Sequence, residues 1–163
     1  MKVAIVMGSK SDYPVVERAE KILSDFGVEF ESRIISAHRT PAVAEKFATS
    51  AVPNGIEVLI AAAGKAAHLA GVMAAFTPIP VIGIPIKSST LDGLDSLLST
   101  VQMPKGIPVA TVAIDGAENA ALLAIQILSL KYPELQLKMI QYKEKMAQEI
   151  IVIDNEFQKE KKR

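Results

Sequence analysis

Residues 2–27, "KVAIVMGSKSDYPVVERAEKILSDFG", decide the architecture. "KVAIVM" carries no charge after Lys2 and predicts a strand buried on both faces. Gly8, two serines and Asp12 then turn the chain. A helical pattern over 14–26 places Val16, Ala19, Leu23 and Phe26 on one face, and Gly27 ends it. Asp12 or Ser11 is expected to cap that helix, which starts near Tyr13 and Pro14.

The same order recurs along the chain. "VEFESRII" (28–35) predicts a second strand, and "PAVAEKFATSAV" (41–52) a helix with Pro41 suited to its first turn. "EVLIAAA" (57–63) is a third strand, followed by a helical pattern over 66–76. "IPVIGIPI" (79–86) is a fourth, with prolines that predict incomplete ladder pairing at its ends. A helix near 92–101, a strand at 108–114 and a helix over about 117–130 complete the pattern. Strands separated by helices imply right-handed parallel crossovers. The expectation is therefore an α/β fold: a flavodoxin-like three-layer α/β/α sandwich with a five-stranded parallel sheet. Ligands in such sheets bind beyond the carboxyl ends of the strands, where strand order reverses.

From Pro133 onward Met139, Tyr142, Met146, Ile150, Ile153 and Phe157 keep three- and four-residue spacing, which predicts a long C-terminal helix. A domain five strands wide cannot cover that whole stripe. The helix either frays as a solvated tail beyond about residue 155 or packs on another subunit. The simplest division is a catalytic domain over 1–131 and a helical arm for subunit packing over 132–163.

Composition narrows the function. A chain of 163 residues is long enough to bury a core without staples. Half of the residues are hydrophobic but only 5% are aromatic, a diet of small aliphatics suited to a sheet covered on both faces. Eighteen basic residues balance eighteen acidic ones, so no global field draws in nucleic acid or a membrane surface. Cysteine is absent and only two histidines are present, which argues against disulfides, thiolate chemistry and a resident metal. With no secretory pattern and no long apolar run, a cytoplasmic, soluble protein is expected.

Three segments that follow strands carry the candidate chemistry. "GSKSD" (8–12) offers Ser9, Ser11 and Asp12 at a helix start, where free amides attract phosphate. "SAHRTP" (36–41) offers Arg39 as a forked grip for an oxyanion, His38 as a proton carrier, and Ser36 beside them. "AGKAAHLAG" (63–71) places His68 among small residues that let a ligand approach the backbone. "QMPKG" (102–106) adds a polar-lined loop before the fifth strand.

Taken together, "MGSKSD", "SAHRTP", "AAHLAG", "PVIGIP", "DSLLSTVQMPKGIPVATVAI" and "NAALLAIQIL" resemble the PurE family in order from about residue 2 to 131. The family comprises N5-carboxyaminoimidazole ribonucleotide mutases of purine biosynthesis. The resemblance implies a flavodoxin-like octamer that moves a carboxylate from the exocyclic N5 to ring carbon C4, with no metal or organic cofactor. It also implies a functional link to the ATP-dependent carboxylase that makes the substrate. His38 becomes the general acid/base. Ser9, Ser11 and Asp12 fall on the phosphate and ribose, with Ser36 and Arg39 alongside. Gly64, Lys65, Ala67, His68 and Leu69 border the carboxylate and imidazole. An aspartate repels a dianionic phosphate, so Asp12 is assigned to the ribose hydroxyls.

Two positions depart from the family pattern. Lys65 stands where the family usually has glycine, and either contacts the substrate carboxylate or points to solvent. Ala70 stands where proline is common. "AAHL" favours the mutase over the related carboxylases that use free CO₂. The other alternative is a non-enzymatic nucleotide- or flavin-binding module. Against it, "GSKSD" and "AAAGK" do not supply the acidic pair after the first strand and the acceptor aspartate after the third that a receiver domain needs, and for flavin tryptophan is absent and no tyrosine falls in the later strand-end loops.

Overall fold

The computed structural model describes residues 1–89 and 91–161. The strands are β1 (Lys2–Met7), β2 (Glu29–Ile34), β3 (Val58–Gly64), β4 (Val81–Ile86) and β5 (Ala110–Thr111). The helices are α1 (Tyr13–Phe26), α2 (Pro41–Thr49), α3 (Leu69–Phe76), α4 (Leu94–Val101), α5 (Ala117–Ser129) and α6 (Pro133–Lys161). All four strand pairings are parallel, in the order β2-β1-β3-β4-β5. The order reverses between β1 and β3, so the crevice at their carboxyl ends is where a ligand belongs.

Successive side chains alternate between two buried layers because both faces of the sheet are covered. Val3, Ile5 and Met7 of β1, with Val58, Ile60 and Ala62 of β3, face one layer, which α1, α5 and the first turns of α6 complete. Ala4 and Val6, with Leu59 and Ala61, face the other layer under α2 and α3. Gly27 closes α1 in the left-handed conformation at φ 72°. Its N–H and that of Val28 donate to the last free carbonyls of the helix.

The fifth strand is shorter than the expected 108–114. It pairs with β4 only through Ala110 and Thr111 opposite Ile82 and Gly83, with two further backbone bonds, from the Val112 N–H to the Gly83 carbonyl and from the Asp115 N–H to the Pro85 carbonyl. The carbonyls of Gly83 and Pro85 both point to this side, but Pro85 has no N–H to offer there. Asp115, at φ 55°, then turns the chain away.

Packing between β4 and α4 is close. A Cβ added to Gly83 would collide with the Thr100 side chain. Ser96 and Thr100 lie one turn apart and are both buried. Ser96 donates to the Ile86 and Gly93 carbonyls at 2.9 and 2.8 Å, and Thr100 donates to the Ser96 carbonyl at 2.8 Å.

Helix α6 runs unbroken through Lys161, past the expected fraying point. Leu135 and Met139 join the main core, and Tyr142 packs on Phe26 with ring centroids 5.6 Å apart. Beyond them the stripe is uncovered: Met146, Ile150, Ile153 and Phe157 are exposed.

Candidate active site

Four strand ends converge on one cleft of about 600 Å³. After β1, Ser9 opens a 3-10 turn over Lys10–Asp12. Its hydroxyl accepts from the Ser11 N–H at 3.3 Å and from the Ser11 hydroxyl at 2.9 Å. The Ser9 N–H in turn donates to Asp12 Oδ2 at 3.0 Å. Asp12 therefore reaches backwards and does not cap α1, contrary to the expectation from sequence, and α1 starts without a side-chain cap. Burial pushes the Asp12 carboxyl above the usual carboxylate range, and the bonds from Ser9 and Ser11 oppose that shift.

After β2, Ser36 and Thr40 close a turn on each other. The Ser36 N–H donates to Thr40 Oγ1 at 3.0 Å, and the Thr40 hydroxyl donates to the Ser36 carbonyl at 2.9 Å. Arg39 leans across β1. Its Nη2 donates to the Gly8 carbonyl at 3.2 Å and its Nε to Ser36 Oγ at 3.4 Å, which leaves Nη1 without a protein partner among the described residues.

His38 projects from the same turn and meets His68, which occupies the N-cap position of α3 after β3 and keeps its ring free of any capping bond. Nε2 of His38 and Nδ1 of His68 lie 2.9 Å apart. One of these nitrogens donates while the other accepts, so a single proton is held between rings from two loops. Both rings are exposed to the cleft. Lys65, at the head of the β3 loop, takes φ 58°, a left-handed conformation open to glycine but costly for a side chain.

Among the residues singled out from sequence, Ser9, Ser11, Asp12, Ser36, His38 and Arg39 line the cleft, as do Gly64, Lys65, His68 and Leu69. Ala67 is buried and is not on the wall. Sequence reading missed the end of β4, where Ile86, Lys87, Ser88 and Ser89 close the far side. "PIKSS" follows a strand just as the other three loops do, and that was the available signal. "QMPKG" instead precedes β5, at the opposite end of a parallel sheet, and contributes nothing to the wall.

The model of the AIR carboxylase family matches residues 2–149. The chain is 63% identical over 145 residues to the N5-carboxyaminoimidazole ribonucleotide mutase of Pyrococcus abyssi, covering 89% of this chain and 83% of that one. It is 54% identical over 150 residues to the phosphoribosylaminoimidazole carboxylase of Saccharomyces cerevisiae, covering 92% of this chain but 26% of the yeast protein. The crystal structure of Treponema denticola PurE superposes with a TM-score of 0.88 at 34% identity, covering 95% of this chain and 97% of that one.

Proposed function

The chain belongs to the AIR carboxylase family, and from that premise we propose that it interconverts N5-carboxyaminoimidazole ribonucleotide and 4-carboxy-5-aminoimidazole ribonucleotide in purine biosynthesis. The observation that carries this reading is the 2.9 Å contact between His38 and His68, set beside Arg39 in one cleft. Arg39, with the hydroxyls and amides of the "GSKSD" turn, holds the phosphate, and Asp12 takes the ribose hydroxyls. The aminoimidazole then lies over the histidines.

The reaction is balanced by one proton carrier. The N5–carboxylate bond breaks, CO₂ departs, and its bonding pair stays on N5, which takes a proton from His38. The enamine-like C4 attacks the trapped CO₂ to form the new C–C bond. His38 then removes the C4 proton, which restores the aromatic ring and returns the base to its starting state. His68 gives and receives the shared proton as the His38 ring changes state. Holding CO₂ beside C4 is the second requirement, met by confinement in the cleft.

The apolar surface of α6 beyond Tyr142, and Leu94, Leu98 and Val101 on α4, argue for assembly. In this reading residues 132–163 serve subunit packing in a homo-octamer, and 1–131 carry the chemistry. Light scattering that returned a monomer would end the assembly reading. The enzyme would work in the cytoplasm, next to the ATP-dependent carboxylase that makes its substrate. Among the described residues, no helix is long and apolar enough to cross a membrane.

The test is a product assay on purified protein without ATP. Turnover of the N5-carboxylated substrate, outrunning carboxylation of aminoimidazole ribonucleotide by free CO₂, is the expected result. The reverse preference would make the protein a carboxylase that uses free CO₂.

A further inference from the structure

The cleft carries cations on both sides of the histidine pair, although the chain has no net charge. Arg39 stands on the β2 side, tied to the Gly8 carbonyl. Lys65 and Lys87 stand on the other: Gly64 and Ile86 are the last paired rung of β3 and β4, so both lysines are the next residue outward on neighbouring strands. Such strands lie about 4.8 Å apart. A ligand with one phosphate needs one of these flanks. The second calls for a second anion on the ligand.

The two lysines are not equivalent. The ammonium of Lys87 lies 3.3 Å from a carboxylate oxygen of Asp92. Among the described residues, Lys65 has no carboxylate or hydrogen-bond partner for its side chain, yet it lines the cleft. Its backbone also keeps a conformation, φ 58°, that glycine would adopt freely. Such strain persists only where the surrounding structure holds it, and it clusters at ligand sites; of the described non-glycine residues at positive φ, Lys65 is the one on the cleft wall.

We propose that Lys65 is the seat of the substrate carboxylate, a specificity-determining contact that rests on the mutase reading. Its ammonium grips the carboxylate on N5 before the C–N bond breaks and the carboxylate on C4 after the C–C bond has formed. CO₂, which is neutral, passes between these two anionic states at one place. Lys65 thereby binds the carboxylated ligands and leaves the decarboxylated one untouched.

Titration calorimetry tests this with two probes, 4-carboxy-5-aminoimidazole ribonucleotide and aminoimidazole ribonucleotide, which differ by the carboxylate alone. Lys65→Gln is expected to weaken the carboxylated probe at least tenfold and to leave the other within about twofold. Lys65→Gly should show the same selective loss while melting no lower than the wild type. Lys46→Gln, which removes one charge from α2 outside the cleft, should change neither affinity. Equal weakening of both probes, or of neither, overturns the assignment of Lys65 but leaves the mutase reading standing. A lowered melting temperature in both Lys65 variants would make the residue structural and overturn it too. If the wild-type protein binds neither probe, the mutase reading fails first and takes this one with it.

Discussion

His38 Nε2 and His68 Nδ1 face each other at 2.9 Å, with their ring planes 82° apart. The residues are thirty positions apart in sequence and arrive from β2 and β3, which are not neighbours, since β1 runs between them. The contact makes the two rings one proton-handling unit. His38→Asn is expected to lower kcat by at least ~10² with substrate affinity nearly kept. His68→Asn should also lower kcat, by less, and the double variant should be no worse than His38→Asn. Additive losses, measured by steady-state kinetics on variants shown to fold by circular dichroism, would mean that the rings act separately.

Arg39 spends Nε and Nη2 on Ser36 and Gly8, which fixes the guanidinium plane and leaves Nη1 for the ligand. Arg39→Lys keeps the charge but cannot make both the anchor and the ligand contact. Substrate binding should weaken by roughly 1–3 kcal/mol, with the melting temperature little changed. Calorimetry that finds wild-type affinity would move the phosphate elsewhere in the cleft.

Asp12 gives a pH signature. Its folded-state pKa is raised, chiefly by burial, so the folded protein holds this proton more tightly than the unfolded chain does. The stability contributed by the protonated form is fully present below the ordinary carboxylate range and is lost as pH rises through the raised value. Asp12→Asn keeps an acceptor for the Ser9 N–H without the buried charge. Its melting temperature relative to wild type should therefore climb as pH rises through that window, and then level off. A difference independent of pH would show that the carboxylate is solvated after all.

Gly83 tests the packing of β4 against α4. Gly83→Ala puts a methyl group into the Thr100 side chain, with Val109 and Ala70 also close at 3.1 and 3.3 Å, so the helix must shift outward. A loss of about 1–3 kcal/mol is expected, measured by denaturant unfolding. Pairing Gly83→Ala with Thr100→Ser, which removes the colliding methyl group, should recover part of it.

The sheet was legible where burial left no choice. β1, β3 and β4 are dry on both faces, so their apolar runs stand out, and each lies within two residues of its expected span. β5 was overdrawn because sequence alone does not show that Pro85 presents its missing N–H to that neighbour. The turn after β1 was recognised, but two structures competed for the same side chains there. A 3-10 turn that satisfies Ser9, Ser11 and Asp12 among themselves prevailed over a cap on α1. The histidines were each singled out, but their contact depends on two loops being drawn together over the end of β1, and no local pattern encodes that. The departure at residue 65 was visible as an unusual side chain. Its positive φ, which explains why glycine suits that position, is a property of the backbone alone.

Helix α6 has 29 residues, which at about 1.5 Å each makes a rod of roughly 43 Å. Only its first turns are sunk in the core, and Lys159 stands near its far tip. Because the chain contains no cysteine, a thiol introduced at Lys159 would be a unique chemical address, far from every residue of the cleft in sequence and carried on a stiff stem. A spin or fluorescent label there would act as an antenna, reporting the spacing and stoichiometry of neighbouring copies during turnover.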